Sequence, residues 1–313
     1  MDNDILIRVE HLSRFYGHTA AVNGVSFEVR RGEVLGFLGP NGAGKSTTMQ
    51  MLTGNLAPST GSIRIDGIDL LDQPKAAKAN IGYLPEQPPL YRDLTVDEFL
   101  TYCARLNRIP RTGIKAALNR AKERCGLGEV GGRLINNLSK GYQQRVGIAQ
   151  AIIHSPDVVI LDEPTVGLDP IQIREIRKLI RELGGEHSVI LSTHILPEVQ
   201  ATCDRVQIIN RGELVMSESI EGLALRMQTS GLFVALRNPP AIENLNAIEG
   251  VIGVEPLEKG HFRISHDPEH NPAEALVARA VADNWGLYEL IPERISLEDV
   301  FVNLTTTEQE HAA

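Results

Sequence analysis

The segment Gly39-Pro40-Asn41-Gly42-Ala43-Gly44-Lys45-Ser46-Thr47 fits the pattern G-x-x-x-x-G-K-[ST]. Glycines in such a loop let backbone N–H groups close around nucleotide phosphates. The flanks suit it. Val34-Leu35-Gly36-Phe37-Leu38 is a short apolar run that predicts a buried strand, and Ser46 to Leu52 predicts a helix start. A helix N-terminus presents unsatisfied N–H groups and a partial positive charge to a phosphate. Lys45 is placed to reach the β- and γ-phosphates, and the Ser46 hydroxyl to ligate Mg²⁺. With ordinary residue frequencies the four fixed positions coincide in roughly one chain of this size in a hundred. The strand and helix flanks lower that further, so the segment predicts a nucleotide site and constrains the chain to an α/β core.

Composition narrows the class. The 313 residues are 42% hydrophobic and 23% charged, the balance of a globular chain of one large or two modest domains. A net charge of −9 argues against nucleic acid as a partner, because phosphate backbones are held by basic patches. Cys103, Cys125 and Cys203 are scattered without metal-ligand spacing, which predicts buried thiols in a reducing compartment. No apolar run approaches the ~20 residues that cross a bilayer. The acidic start Met1-Asp2-Asn3-Asp4 lacks the features of a secretory signal. Work at a membrane would therefore need spanning helices from another chain.

Along the chain, Ile5–Val9 and Val25–Val29 alternate like strands, with a short loop at Tyr16-Gly17-His18-Thr19. Gly61–Ile65 predicts a strand turning at Asp66-Gly67. From about Thr95 to Ala151 the pattern is helical, opened by the capping-box arrangement Thr95-Val96-Asp97-Glu98. Apolar positions follow at Phe99, Leu100, Cys103 and Leu106. Strands return at Val158–Leu161, Ser188–Leu191 and Val206–Ile209, with a helix from Ile171 to Leu183. Alternating strands and helices imply a largely parallel sheet with helices on its faces. Beyond a linker at Gln228-Thr229-Ser230-Gly231, the order β-α-β-β-α-β predicts a small ferredoxin-like domain, with a closing helix at Leu297–Leu304. The expected domains are 1–228, with its helical insertion at about 95–151, and 229–313.

Val158-Val159-Ile160-Leu161-Asp162-Glu163 is an apolar strand ending in two acids. Downstream of a phosphate loop, Asp162 is placed to hold Mg²⁺. Alternation along a strand would turn Glu163 to the other side, towards an attacking water.

Leu138-Ser139-Lys140-Gly141-Tyr142-Gln143-Gln144-Arg145, just upstream of that strand, resembles the L-S-G-G-Q signature of ABC-type ATPases. The resemblance covers about residues 5 to 220, with the motifs in order. Lys140 stands where glycine is usual, and Tyr142 where glutamine is usual. The resemblance implies a P-loop (RecA-like) α/β ABC ATPase core with an antiparallel β subdomain and a helical insertion, followed by the small α+β ferredoxin-like domain. It implies further that Ser139 and Gly141 meet the γ-phosphate held by a second copy, and that Tyr16 stacks on adenine. Asp169, in Val166-Gly167-Leu168-Asp169, would cross a dimer interface. His194, in Ser192-Thr193-His194, would contact the γ-phosphate and hold the attacking water.

In Ile81-Gly82-Tyr83-Leu84-Pro85-Glu86-Gln87, Glu86 occupies the usual glutamine position and Gln87 lies one residue later; either can be the γ-phosphate and Mg²⁺ sensor. Leu297-Glu298-Asp299-Val300-Phe301, with the β-α-β-β-α-β unit before it, resembles the C-terminal extension of ABC-2-type exporter ATPases. The expected function is ATP binding and hydrolysis that powers a separate integral membrane permease subunit. Two copies would sandwich two Mg-ATP at the cytoplasmic face of the membrane, held peripherally and without nucleic acid. A soluble ABC-type ATPase acting on DNA or ribosomes is one alternative, and a P-loop kinase another.

Overall fold

The structure is a computed structural model that describes residues 4–226, 231–267 and 270–293. The chain divides into two compact units at Ile220/Glu221. The sequence places this division later, at 228. The linker residues 228–230 and the closing helix at 297–304 lie outside the described residues.

The first unit contains two sheets. One is antiparallel, in the order β2-β1-β4-β5, from β1 (Ile5–Tyr16), β2 (Thr19–Arg30), β4 (Thr60–Ile65) and β5 (Ile68–Asp69). β1 and β2 run well beyond the predicted alternating segments, because Tyr16 and Thr19 still pair across the tight turn at Gly17-His18. Between β4 and β5, Asp66 and Gly67 both take positive φ, 50° and 75°. That is the turn whose twist matches its flanking strands, and Gly67 adopts it without strain.

The second sheet has the order β10-β9-β3-β8-β7-β6. It comprises β3 (Val34–Leu38), β6 (Ile81–Leu84), β7 (Val158–Asp162), β8 (Ser188–Thr193), β9 (Arg205–Asn210) and β10 (Glu213–Ser219). The pairings from β9 through β6 are parallel, and β10 pairs antiparallel with β9. β3, β7 and β8 are buried along their whole length, as near-continuous apolar strands covered on both faces must be.

Helices α1 (Lys45–Leu52), α2 (Pro74–Ala79), α3 (Val96–Leu106), α4 (Arg111–Arg124), α5 (Lys140–Ile152), α6 (Pro170–Leu183) and α7 (Leu196–Thr202) complete the unit. The capping box opens α3 as expected. Thr95 N–H donates to Glu98 at 2.8 Å, and Glu98 N–H donates to the Thr95 hydroxyl at 3.2 Å. The Thr95 N–H and hydroxyl both donate to the carboxylate, which favours the ionised form and holds the Glu98 carboxyl below its ordinary range. Phe99, Leu100 and Cys103 are buried, but Leu106 is exposed. It ends the helix, so the 3.6-residue period reaches it after the packed face has stopped.

The three cysteines are free and buried, and burial pushes their thiols up to about 12. None has the lowered pKa of a reactive thiol. Among the described residues no helix is long and apolar enough to cross a membrane.

The second unit opens within α8 (Ile220–Arg226) and continues through β11 (Gly231–Leu236), α9 (Ile242–Asn246), β12 (Val251–Pro256), β13 (His261–His266), α10 (Ala273–Ala282) and β14 (Leu287–Glu293). Its sheet is antiparallel in the order β12-β13-β11-β14, the ferredoxin-like arrangement. Leu232, Val234, Phe262, Ile264, Leu276 and Trp285 are among the residues of its own core.

Candidate nucleotide site

Parallel strands bring the loops at their C-terminal ends to one sheet edge, where α/β sheets bind ligands. β3, β8 and β7 are neighbours, with Leu38 opposite Thr193 and Asp162 opposite Ser192. The loops that follow them carry the phosphate-loop segment, His194 and Glu163. They surround a cavity of about 370 Å³ that is also lined by Glu86 and by Ala21 of β2.

The phosphate loop turns into α1 at Gly44, the N-cap, with φ of 105°. A side chain there would be strained, and its Cβ would lie 2.5 Å from the Ala21 carbonyl oxygen. Lys45 is buried and folds back over the loop. Its Nζ donates to the carbonyls of Gly39 at 2.8 Å and Pro40 at 3.2 Å, and stands 3.3 Å from Glu163 Oε1. Oε2 of the same carboxylate is 2.9 Å from His194 Nδ1. Glu163 thus bridges an ammonium and an imidazole. The His194 side chain is 41% exposed. With Nδ1 donating, Nε2 of the neutral ring remains an acceptor.

Strand alternation is not what aims Glu163. β7 ends at Asp162, and Glu163 takes a left-handed φ of 49°, uncommon for a side chain of its size. Its N–H is anchored to the Ser192 carbonyl at 2.9 Å, so the chain leaves the sheet in a defined direction. Beyond this turn the carboxylate meets Lys45 and His194.

Asp162 is buried, and its Oδ1 has no hydrogen-bond partner. Burial raises the pKa of its carboxyl, and the Glu86 carboxylate adds to the rise; the Ser192 and Ser46 hydroxyls and Lys45 oppose it. A carboxylate with an orphaned buried oxygen, beside the Ser46 hydroxyl and a second acid, is an oxygen-donor set that suits a hard divalent cation. The residues present therefore fit Mg²⁺.

Glu86 and Gln87 are separated by the structure. Glu86 lines both the phosphate cavity and an adjoining groove, whereas Gln87 lines the groove alone, with Pro88, Arg92, Lys140 and Gln144. Tyr16, Ser139, Gly141 and Asp169 do not line the phosphate cavity. Tyr16 is half-exposed at the end of β1, with the Arg14 guanidinium 4.8 Å from its ring centroid. Ser139 caps α5, accepting from Tyr142 N–H at 3.4 Å. Gly141 packs so closely on Gln172 that a Cβ would lie 2.7 Å from its amide. Asp169 caps α6, accepting from the N–H groups of Ile171 and Gln172 at 2.9 and 3.0 Å. Sequence reasoning missed Ala21, which enters from the antiparallel sheet, and Ser192, whose only signal is its place before Thr193-His194.

Residues 22–166 match the protein-family profile described as ABC transporter. The chain is 32% identical over 301 residues to the ABC transporter ATP-binding protein YxlF of Bacillus subtilis, covering 96% of this chain and 99% of that one. The chain belongs to the ABC transporter ATP-binding protein family. This ABC subunit is also 33% identical over 302 residues to the bacitracin transport ATP-binding protein BcrA of Bacillus licheniformis, covering 96% of this chain and 97% of the relative. Among solved structures it resembles cbiO1 from Clostridium perfringens, part of the ABC transporter complex cbiONQ. The TM-score is 0.65 and the identity 31%, over 71% of this chain and 94% of that one. As an ABC ATP-binding subunit it binds ATP, and its ATPase activity is coupled to transport.

Proposed function

We propose that this chain is the ATP-hydrolysing subunit of an ABC-2-type exporter, acting peripherally at the cytoplasmic face of the membrane on a separate integral permease. The observation that carries the chemistry is the Glu163 carboxylate held between Lys45 and His194 at the mouth of the phosphate loop. Glu163 orients a water against the γ-phosphorus and takes its proton as the bond to ADP breaks, releasing ADP and phosphate. His194 holds the γ-phosphate and that water in line. Lys45 binds the β- and γ-phosphates. Lys45 stands against Glu163 and two carbonyls, so the phosphates of ATP compete with the carboxylate for the ammonium. Mg²⁺, held by Ser46 and Asp162 with Glu86 beside them, would neutralise phosphate charge.

Two copies complete the sites. Ser139 and Gly141 of each would meet the γ-phosphate on the other's phosphate loop, Asp169 would cross between them, and Tyr16 would stack on adenine. Lys140, at the first turn of α5, adds positive charge there. Two features support the export assignment: the chain matches BcrA through both of its units, and the second unit has its own core with the ferredoxin-like strand order. That second unit serves dimer stability or regulation.

The test is to tag the chain in its native host, solubilise membranes in mild detergent and identify what co-purifies. An integral protein with several spanning helices is expected; ribosomal or nucleic-acid proteins in its place would overturn the assignment.

Asp162→Asn tests the cation site. A folded-state carboxyl raised above its ordinary value favours folding at low pH, and that contribution is lost as pH rises through the raised value. Above that raised value the bare carboxylate therefore burdens the folded protein. The asparagine variant is expected to melt higher without nucleotide, by about 2–4 °C for each kcal/mol relieved. It is also expected to lose the Mg²⁺-dependent part of ATP stabilisation. An unchanged response to Mg²⁺ in thermal melts would remove Asp162 from the site.

A further inference from the structure

Glu198, at 1% exposure, is the most deeply buried carboxylate among the described residues, and it stands outside the phosphate cavity. Its two oxygens are divided between two segments. Oε2 accepts from the Thr193 hydroxyl at 2.8 Å, and Oε1 accepts from the Thr165 hydroxyl. The nearest cation, Arg177 on α6, is 3.7 Å from Oε1. Glu198 also lies in the first turn of α7, where the helix field favours an anion. Burying a carboxylate is costly, and packing alone is served as well by an apolar side chain. The charge therefore calls for an explanation in the hydrogen bonds it accepts.

Both threonines sit at the roots of proposed site residues. Thr165 follows Glu163 by one proline, and its carbonyl accepts from Leu168 N–H at 3.2 Å. Thr193 directly precedes His194. Its hydroxyl also accepts from Ile195 N–H at 3.1 Å, which pins the chain on the far side of the histidine. One rigid carboxylate thus clamps the backbone behind Glu163 with one oxygen and the backbone around His194 with the other. The side chains those backbones carry meet at 2.9 Å.

We infer that Glu198 is a positioning residue for ATP hydrolysis, tying the Glu163 segment to the His194 segment and so setting the separation of the two groups that handle the attacking water. The inference rests on the roles proposed above for Glu163 and His194. Glu198 touches no substrate; it acts through the two threonines.

The test uses the full chain and removes the hydroxyls rather than the carboxylate, because Glu198→Ala would also leave the partly buried Arg177 without its partner. Thr165→Val and Thr193→Val each release one segment at nearly constant volume. Turnover at saturating Mg-ATP is measured per site competent to bind a fluorescent ATP analogue, so that misfolded chains do not count. Each valine variant is expected to lower kcat by about 10- to 100-fold, the cost of misplacing a catalytic group by about 1 Å, with nucleotide affinity unchanged. Thr165→Ser and Thr193→Ser recover most of the rate.

The double valine variant is expected to be no slower than the slower single one, since either change already breaks the bridge. Unchanged kcat in either valine variant, or losses that multiply in the double variant, would overturn the inference: each threonine would then support its own segment at most. Glu163→Gln is assayed alongside. If it turns over normally, the reading of the site itself fails; if it is inactive while the valine variants are not, only the role of Glu198 fails.

Discussion

Replacing Glu163 with glutamine is expected to slow ATP hydrolysis by about 10²–10⁴-fold, the range for a positioned proton acceptor. The amide keeps the size of the carboxylate but neither takes a proton from water nor carries the charge that Lys45 faces at 3.3 Å. ATP affinity is expected to hold or rise. When ATP binds, its phosphates compete with Glu163 for the same ammonium, and the variant removes that competitor. Steady-state turnover and equilibrium ATP binding, measured on the same preparation, separate the two effects. Near-normal turnover would move the proton acceptor elsewhere, with Glu86 the nearest other carboxylate in the cavity lining.

Lys45→Ala is expected to have the converse signature. Lys45 is the buried cation of the phosphate loop, and its contact with phosphate is charge-assisted, worth about 1.5–3 kcal/mol. Its loss is expected to weaken ATP binding about 10- to 100-fold, one decade for each 1.4 kcal/mol. The alanine variant also leaves the carbonyls of Gly39 and Pro40 without their donor and Glu163 without its cation. Some loss of stability in the nucleotide-free state is therefore expected as well. Unchanged affinity by titration would contradict the placement of phosphate against this loop.

Much of this site was legible in the sequence because its parts are local. The phosphate loop is a contiguous motif between a strand and a helix, and Gly44 must be glycine for reasons of backbone geometry alone. The apolar run before Asp162 announces β7, and parallel neighbours then carry the loops to one edge. What depends on a single backbone torsion was not legible. Alternation alone does not place Glu163, because periodicity holds only while the strand lasts and the backbone turns at that residue.

Contacts between distant segments were equally hidden. Thr165 and Thr193 both hydrogen-bond Glu198, yet nothing in the local pattern at Glu198 distinguishes it from a solvent-facing acid of a short helix. The polar stretch Arg111–Arg124 shows the same limit. Its helix buries Ala117 and Ala121, whose small side chains leave little hydrophobic contrast to read. At Glu86 and Gln87, counting left both residues open as the sensor; both line the adjoining groove, and Glu86 also lines the phosphate cavity.

The account turns on two half-sites completing one another around ATP. Its most direct measurement is the mass of the Glu163→Gln variant in solution by analytical ultracentrifugation, with and without Mg-ATP. Slow hydrolysis should hold the closed state, so the account predicts twice the 34.3 kDa of one chain with Mg-ATP and a smaller species without it. A variant that binds ATP fully but stays at 34.3 kDa across micromolar concentrations would contradict it.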